Sequence, residues 1–136
     1  MEQRVGTLEE WIVRIALVMA GGSLGALSRY GTALLAARFI GTRFPWGTLL
    51  VNLVGCFLLG ASFALVECTN ILSPAARLFF MTGFLGALTT FSTYALETIN
   101  AVRGETSLIA LTNILINNVV GLGMVVLGMS LVRSIR

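Results

Sequence analysis

Histidine, lysine and aspartate occur nowhere in the 136 residues. Without histidine or aspartate, most hydrolytic triads and histidine-based metal sites are excluded, so an enzyme is not expected. Charge of either sign is scarce. Charged residues make up 11% of the chain, against about 25% in soluble domains. All the basic side chains are arginine and all the acidic ones are glutamate. The net charge of +3 does not read as a nucleic-acid footprint, because the arginines lie scattered at segment ends, where they anchor in the interface. The two cysteines, Cys56 and Cys68, are small apolar side chains in this pattern, neither a disulfide nor a metal site.

What the chain has in quantity is apolar surface. Hydrophobic residues are 57% of the total and the mean hydropathy is +0.93. Such a chain cannot cover itself with polar groups, so its solvent is lipid. A span needs roughly 20 apolar residues. Residues 47–66, 78–96 and 106–132 carry no charge. A further span lies near 12–35, interrupted by Arg29; the uncharged stretch between Arg14 and Arg29 is too short to cross, which places Arg29 in or at the edge of the membrane. The expected organisation is one domain over 1–136, an all-α membrane protein with four transmembrane helices at about 12–35, 47–66, 78–99 and 107–132. Glu9 and Glu10 before the first apolar run argue against a signal peptide. The connections "RFIGTRFP", "ECTNILSP" and "NAVRGETS" are short and hold turn formers or charges.

Four spans put both termini on one side. Arg4, Arg14, Arg77, Arg133 and Arg136 fall there, and Arg29, Arg38, Arg43 and Arg103 fall opposite. Orientation follows an excess of positive charge in cytoplasmic loops; five against four is almost no excess. The expectation is insertion both ways round, giving a dual-topology antiparallel homodimer that resembles an inverted repeat made from two chains. Small residues for helix packing are present at Gly21, Gly25 and Ser28 in the first span and Gly55 and Gly60 in the second.

Polar residues inside these runs point to a bundle interior or a hydrated path. The second span carries Asn52, and the fourth carries Asn113, Asn117 and Gly121 at intervals of four, on one helical face. The third contains "GALTTFSTY" (86–94), in which glycine and hydroxyl side chains weaken the helix. A break near 86–90 strands carbonyls at mid-membrane, tolerable only where protein, water or an ion satisfies them. In an antiparallel dimer two such breaks meet, and converging carbonyls suit a hard cation. Past the break, Phe91 and Tyr94 share a face, while Thr90, Thr93 and Glu97 form a second stripe. Aromatic ring edges are electron-poor and favour an anion.

"GALSRYG", "FPWGTLLVNLVGCFLLG" and "TGFLGALTTFSTYALE" together resemble the Fluc (CrcB) fluoride channels, in order along nearly the whole chain. The resemblance implies small dual-topology antiparallel dimers with two fluoride pores, letting cytoplasmic fluoride leave passively across a microbial plasma membrane. Carried onto matching positions, it implies Phe91 and Tyr94 as the pore aromatics, with Ser92 and Thr93 between them, and Asn52 as the pore asparagine. It also implies a structural sodium held at the dimer centre by the backbone carbonyls of Gly86 and Thr89. Two departures stand out: Tyr94 replaces the usual Phe, and Asn113 and Asn117 occupy places where the family often has Tyr and Ser. Arg29 is expected near the pore mouth, drawing in anions or anchoring the dimer. The rival reading, a small proton-coupled multidrug exporter, needs a carboxylate in the middle of the first span, and no Glu occurs between Glu10 and Glu67. A structural subunit without transport gives no reason for hydroxyls and amides to line up at mid-membrane. The role of Glu97 is left open between capping a hydrogen-bond network and sitting at the interface.

Overall fold

The computed structural model describes residues 7–69, 71–104 and 106–135. Arg4 and Arg136 of the sidedness tally, and Glu105 before the fourth span, lie outside the described residues. The described chain is all-helical, and four helical segments are long and apolar enough to cross a membrane: Leu8–Phe39, Trp46–Cys68, Pro74–Arg103 and Ser107–Ser134.

Each runs past the apolar stretch that announces it, because helices continue into the charged residues at the interface. The first begins at an N-cap in which the Thr7 hydroxyl accepts from the Glu10 amide at 3.4 Å, with Glu9 and Glu10 in its first turn. Carboxylates there complement the positive end of the helix dipole. It stops at Gly41, whose φ of 109° is open only to a residue without a Cβ cost, and whose amide returns to the Ala36 carbonyl at 3.1 Å. At 32 residues this helix is about 48 Å long at 1.5 Å per residue, well beyond an apolar core of about 30 Å. Its ends therefore stand clear of the lipid or the helix tilts.

The third span starts with Ser73 capping the Ala76 amide at 3.2 Å and Pro74 in the first turn. It runs as a π-helix through Leu78–Leu85 and a last α-turn at Gly86–Leu88. Thr89 (φ −80°, ψ 155°) and Thr90 (φ −153°, ψ 121°) are extended, and an α-helix resumes at Phe91–Arg103. The fourth span contains a second π-helical stretch, Ile116–Val120, between Ser107–Leu115 and Gly121–Ser134.

Packing is by pairs. The first span lies on the entering half of the third, and the second span on the last half of the fourth. Glycine lets backbones touch in both. A Cβ on Gly21 or Gly25 would run into the carbonyls of Phe79 and Phe84, and one on Gly60 or Gly128 into those of Val125 and Phe57. Close approach at small residues is what holds helices together in lipid, where burial of apolar surface gives no driving force. Gly21, Gly25, Gly55 and Gly60 are buried in these contacts within the chain, whereas Ser28 is exposed. The small apolar core is Val51, Leu85 and Leu88, flanked by Leu58, Phe80 and Phe84. The segment Phe91–Arg103 packs on Ser107–Leu115 and only thinly on the second span, which leaves one of its faces open.

Candidate functional site

The extended pair Thr89–Thr90 creates the site. Helix termini leave amides and carbonyls without partners, and at this depth water is scarce. Asn52, one helix away, supplies what is missing. Its side-chain oxygen accepts from the Thr90 amide at 2.9 Å and its Nδ2 donates to the Thr90 carbonyl at 3.2 Å, so one amide side chain engages both backbone groups as a neighbouring strand would. The Thr90 N–H is thereby diverted from the Gly86 carbonyl four residues earlier. Thr90 also caps the resumed helix: its hydroxyl accepts from the Thr93 amide at 3.2 Å and donates to the Thr93 hydroxyl at 3.1 Å. The Ser92 hydroxyl lies 3.3 Å from the same oxygen.

A relay of amides continues from Asn52. Its Nδ2 donates to Asn117 Oδ1 at 2.9 Å. The Asn117 Nδ2 in turn donates to the Asn113 carbonyl at 3.0 Å and to Asn113 Oδ1 at 2.8 Å. Asn113 Nδ2 donates to the Thr98 hydroxyl at 2.8 Å, which donates to the Tyr94 carbonyl at 2.8 Å. Backbone groups with only one role set the orientations of Asn52 and Asn117, and Asn113 follows from the Asn117 N–H it accepts and from Thr98, whose proton is committed to the Tyr94 carbonyl. Asn113 is 1% exposed; a buried amide in lipid is tolerable because it is bonded. Asn113 and Asn117 thus join Asn52 in one network. Both N–H groups of Asn52 and both of Asn117 are committed to protein acceptors, which makes them the frame of the site.

A cavity of about 300 Å³ opens beside this frame. Asn52, Gly86, Thr89, Phe91, Tyr94 and Asn117 line it, so six of the residues expected at the pore or the sodium site come together. Its apolar wall includes Leu59, Met81 and Leu85. The Phe91 and Tyr94 rings meet edge-on, centroids 5.5 Å apart and planes at 60°. Tyr94 is buried, whereas Phe91 is 77% exposed on the single chain. Ser92 and Thr93 are exposed on the same helical half. Arg29, half-buried on the first span, is not among the residues lining the cavity. Glu97 is tied to the second span: its Oε1 accepts from the Thr48 hydroxyl at 2.9 Å, and its Oε2 is buried without a hydrogen-bond partner among the described residues.

Two residues escape the sequence reading. Thr98 links Asn113 to the third span. Asn118, which also lines the cavity, donates to the Tyr94 hydroxyl at 3.0 Å and to the Ile114 carbonyl at 2.8 Å. Asn118 lies off the four-residue stripe of Asn113, Asn117 and Gly121, within the π-helical stretch Ile116–Val120. The adjacent amides at 117 and 118, in an otherwise apolar run, were the available signal.

A family model described as CrcB-like protein, Camphor Resistance (CrcB), matches residues 16–129. Curated relatives include the "Fluoride-specific ion channel FluC" of Salinibacter ruber, 44% identical over 117 residues, which are 86% of this chain and 87% of that one. The protein of the same name from Aeromonas salmonicida is 41% identical over 127 residues, 93% and 98% of the two chains. That of Hahella chejuensis is 42% identical over 124 residues, 91% and 98%.

Proposed function

The chain belongs to the CrcB family, and from that premise we propose that it is a fluoride-selective channel that lets the ion leave the cytoplasm passively across a microbial plasma membrane. The relatives named for that activity support this reading over a proton-coupled exporter. So does the geometry at Thr89–Thr90, the single structural observation that carries the mechanism.

Fluoride is small and strongly hydrated, so a path through lipid must replace its water without trapping it. A fixed positive charge in the path would hold it too long. Neutral donors suit the task, and the relay decides which of them are free. Asn52 and Asn117 spend their N–H groups on protein oxygens. The hydroxyls of Thr93 and Tyr94 each accept a hydrogen bond and keep their own proton, whereas the Ser92 proton goes to the Thr90 oxygen once Thr90 donates to Thr93. Asn52 therefore acts by holding the break open, while hydroxyls and the edges of Phe91 and Tyr94 stand in for water. Arg29 draws anions towards the mouth or anchors the dimer.

The open face at Phe91, Ser92 and Thr93 calls for a partner, and a second copy inserted upside down supplies it. In such an antiparallel homodimer the two mid-membrane breaks meet. The Gly86 carbonyl, deprived of the Thr90 N–H, and the carbonyl of extended Thr89 have the chemistry to hold a sodium ion there, whose charge would offset the converging carbonyl dipoles. Reconstituted protein in potassium fluoride-loaded liposomes should release fluoride to an ion-selective electrode, with chloride-loaded vesicles alongside retaining their anion. Retained fluoride, or equal loss of chloride, overturns the reading.

A further inference from the structure

We propose that Tyr94 meets the permeating anion through its phenolic O–H, and that Asn118 is the positioning residue that makes this hydroxyl a donor; this rests on the fluoride-channel reading. Asn118 Nδ2 lies 2.8 Å from the Ile114 carbonyl, an oxygen that only accepts. The amide orientation is thereby fixed, with nitrogen towards the tyrosine. At 3.0 Å the Tyr94 oxygen then accepts from that nitrogen. Its own proton has no acceptor among the described residues, and both side chains line the 300 Å³ cavity. A phenylalanine here would offer only a ring edge. The hydroxyl offers a directed dipole, and O–H bonds to anions are short and about twice as strong as neutral ones.

Asn118 has two effects on this donor. It takes up the lone pair that would otherwise make the phenol oxygen repel an anion, and it holds the oxygen at the cavity wall. The ring itself is buried and meets Phe91 edge-on, and the Tyr94 backbone carbonyl behind it accepts from the Thr98 hydroxyl, which Asn113 holds in turn. Tyr94 is thus a donor held at both ends, by Asn118 at its oxygen and by packing at its ring, and not a swinging side chain.

The test is a two-residue cycle in proteoliposomes: Tyr94→Phe, Asn118→Leu and the double variant, each measured for initial fluoride efflux across a range of fluoride concentrations. Tyr94→Phe should raise the half-saturating fluoride concentration about tenfold, the size of one hydrogen bond to an ion. Asn118→Leu should do nearly the same with Tyr94 present and change it by less than about twofold in the Tyr94→Phe background. Equal effects of Asn118→Leu in both backgrounds, or no change in Tyr94→Phe, would overturn the proposal. An equilibrium measurement guards against misfolded variants. Fluoride added to detergent-solubilised protein should shift the near-ultraviolet tyrosine difference spectrum of the parent and of Tyr30→Phe, but not of Tyr94→Phe. A shift that persists in Tyr94→Phe would count against it. A parent chain that released no fluoride would remove the channel reading itself, and this proposal with it.

Discussion

At the scale of residues, the exposed and the buried members of the site have opposite signatures. Phe91 is 77% exposed, so Phe91→Ile should alter the stability of the single chain by no more than about 0.5 kcal/mol while reducing fluoride efflux at least tenfold. A parental rate in Phe91→Ile liposomes would remove the aromatic from the mechanism. Asn52 behaves differently. Asn52→Ala strips partners from the Thr90 amide, the Thr90 carbonyl and Asn117 Oδ1, and each group left unsatisfied costs about 1–3 kcal/mol. Thermal unfolding in detergent should show a large fall in midpoint together with loss of efflux. The sequence made Asn52 conspicuous as a lone amide in an apolar run, but not its task. Which partner an amide finds depends on how two helices are docked, and nothing local to residue 52 encodes that. Tyr94 was legible as a departure from a pattern; Asn118, its partner 24 positions away, was not.

At the scale of elements, the spans were legible because charge marks their limits, and lipid enforces helix wherever the run is long enough. Their ends were not, since arginine and glutamate go on being helical in the headgroup layer, as Arg103 and Arg133 do. The two π-helical stretches have no residue signature. Such stretches are frequent at functional sites, and one of them contains Asn118. Glycines were readable as a class, but only packing tells which of them matter. Gly128 faces the Phe57 carbonyl, whereas Gly123 faces open space. Gly128→Ala should therefore destabilise by about 1–3 kcal/mol through overpacking, and Gly123→Ala should be neutral or stabilise by up to about 1 kcal/mol. Unfolding midpoints of the two variants decide the matter; similar values would mean that the second and fourth spans do not rely on backbone contact.

For the whole molecule, the charge tally leaves orientation nearly undecided, and a single added charge should decide it. Thr42→Arg, in the first connection, should bias that end towards the cytoplasm. Thr69→Arg, at the other end of the second span, should bias insertion the opposite way. Labelling with a membrane-impermeant maleimide at a cysteine introduced into the first connection reads the outcome: partial in the parent chain, nearly complete in one variant and nearly absent in the other. Equal labelling in all three would mean that something other than positive charge orients the chain. Inversion also has an electrical side. The amide donors pass in one sense from Asn52 through Asn117 to Asn113 along the fourth span, so a single chain is a polarised object whose two ends are inequivalent to a moving ion. A copy turned upside down reverses that sense, and a pair so arranged carries equal current under either sign of applied voltage. Two copies facing the same way would rectify.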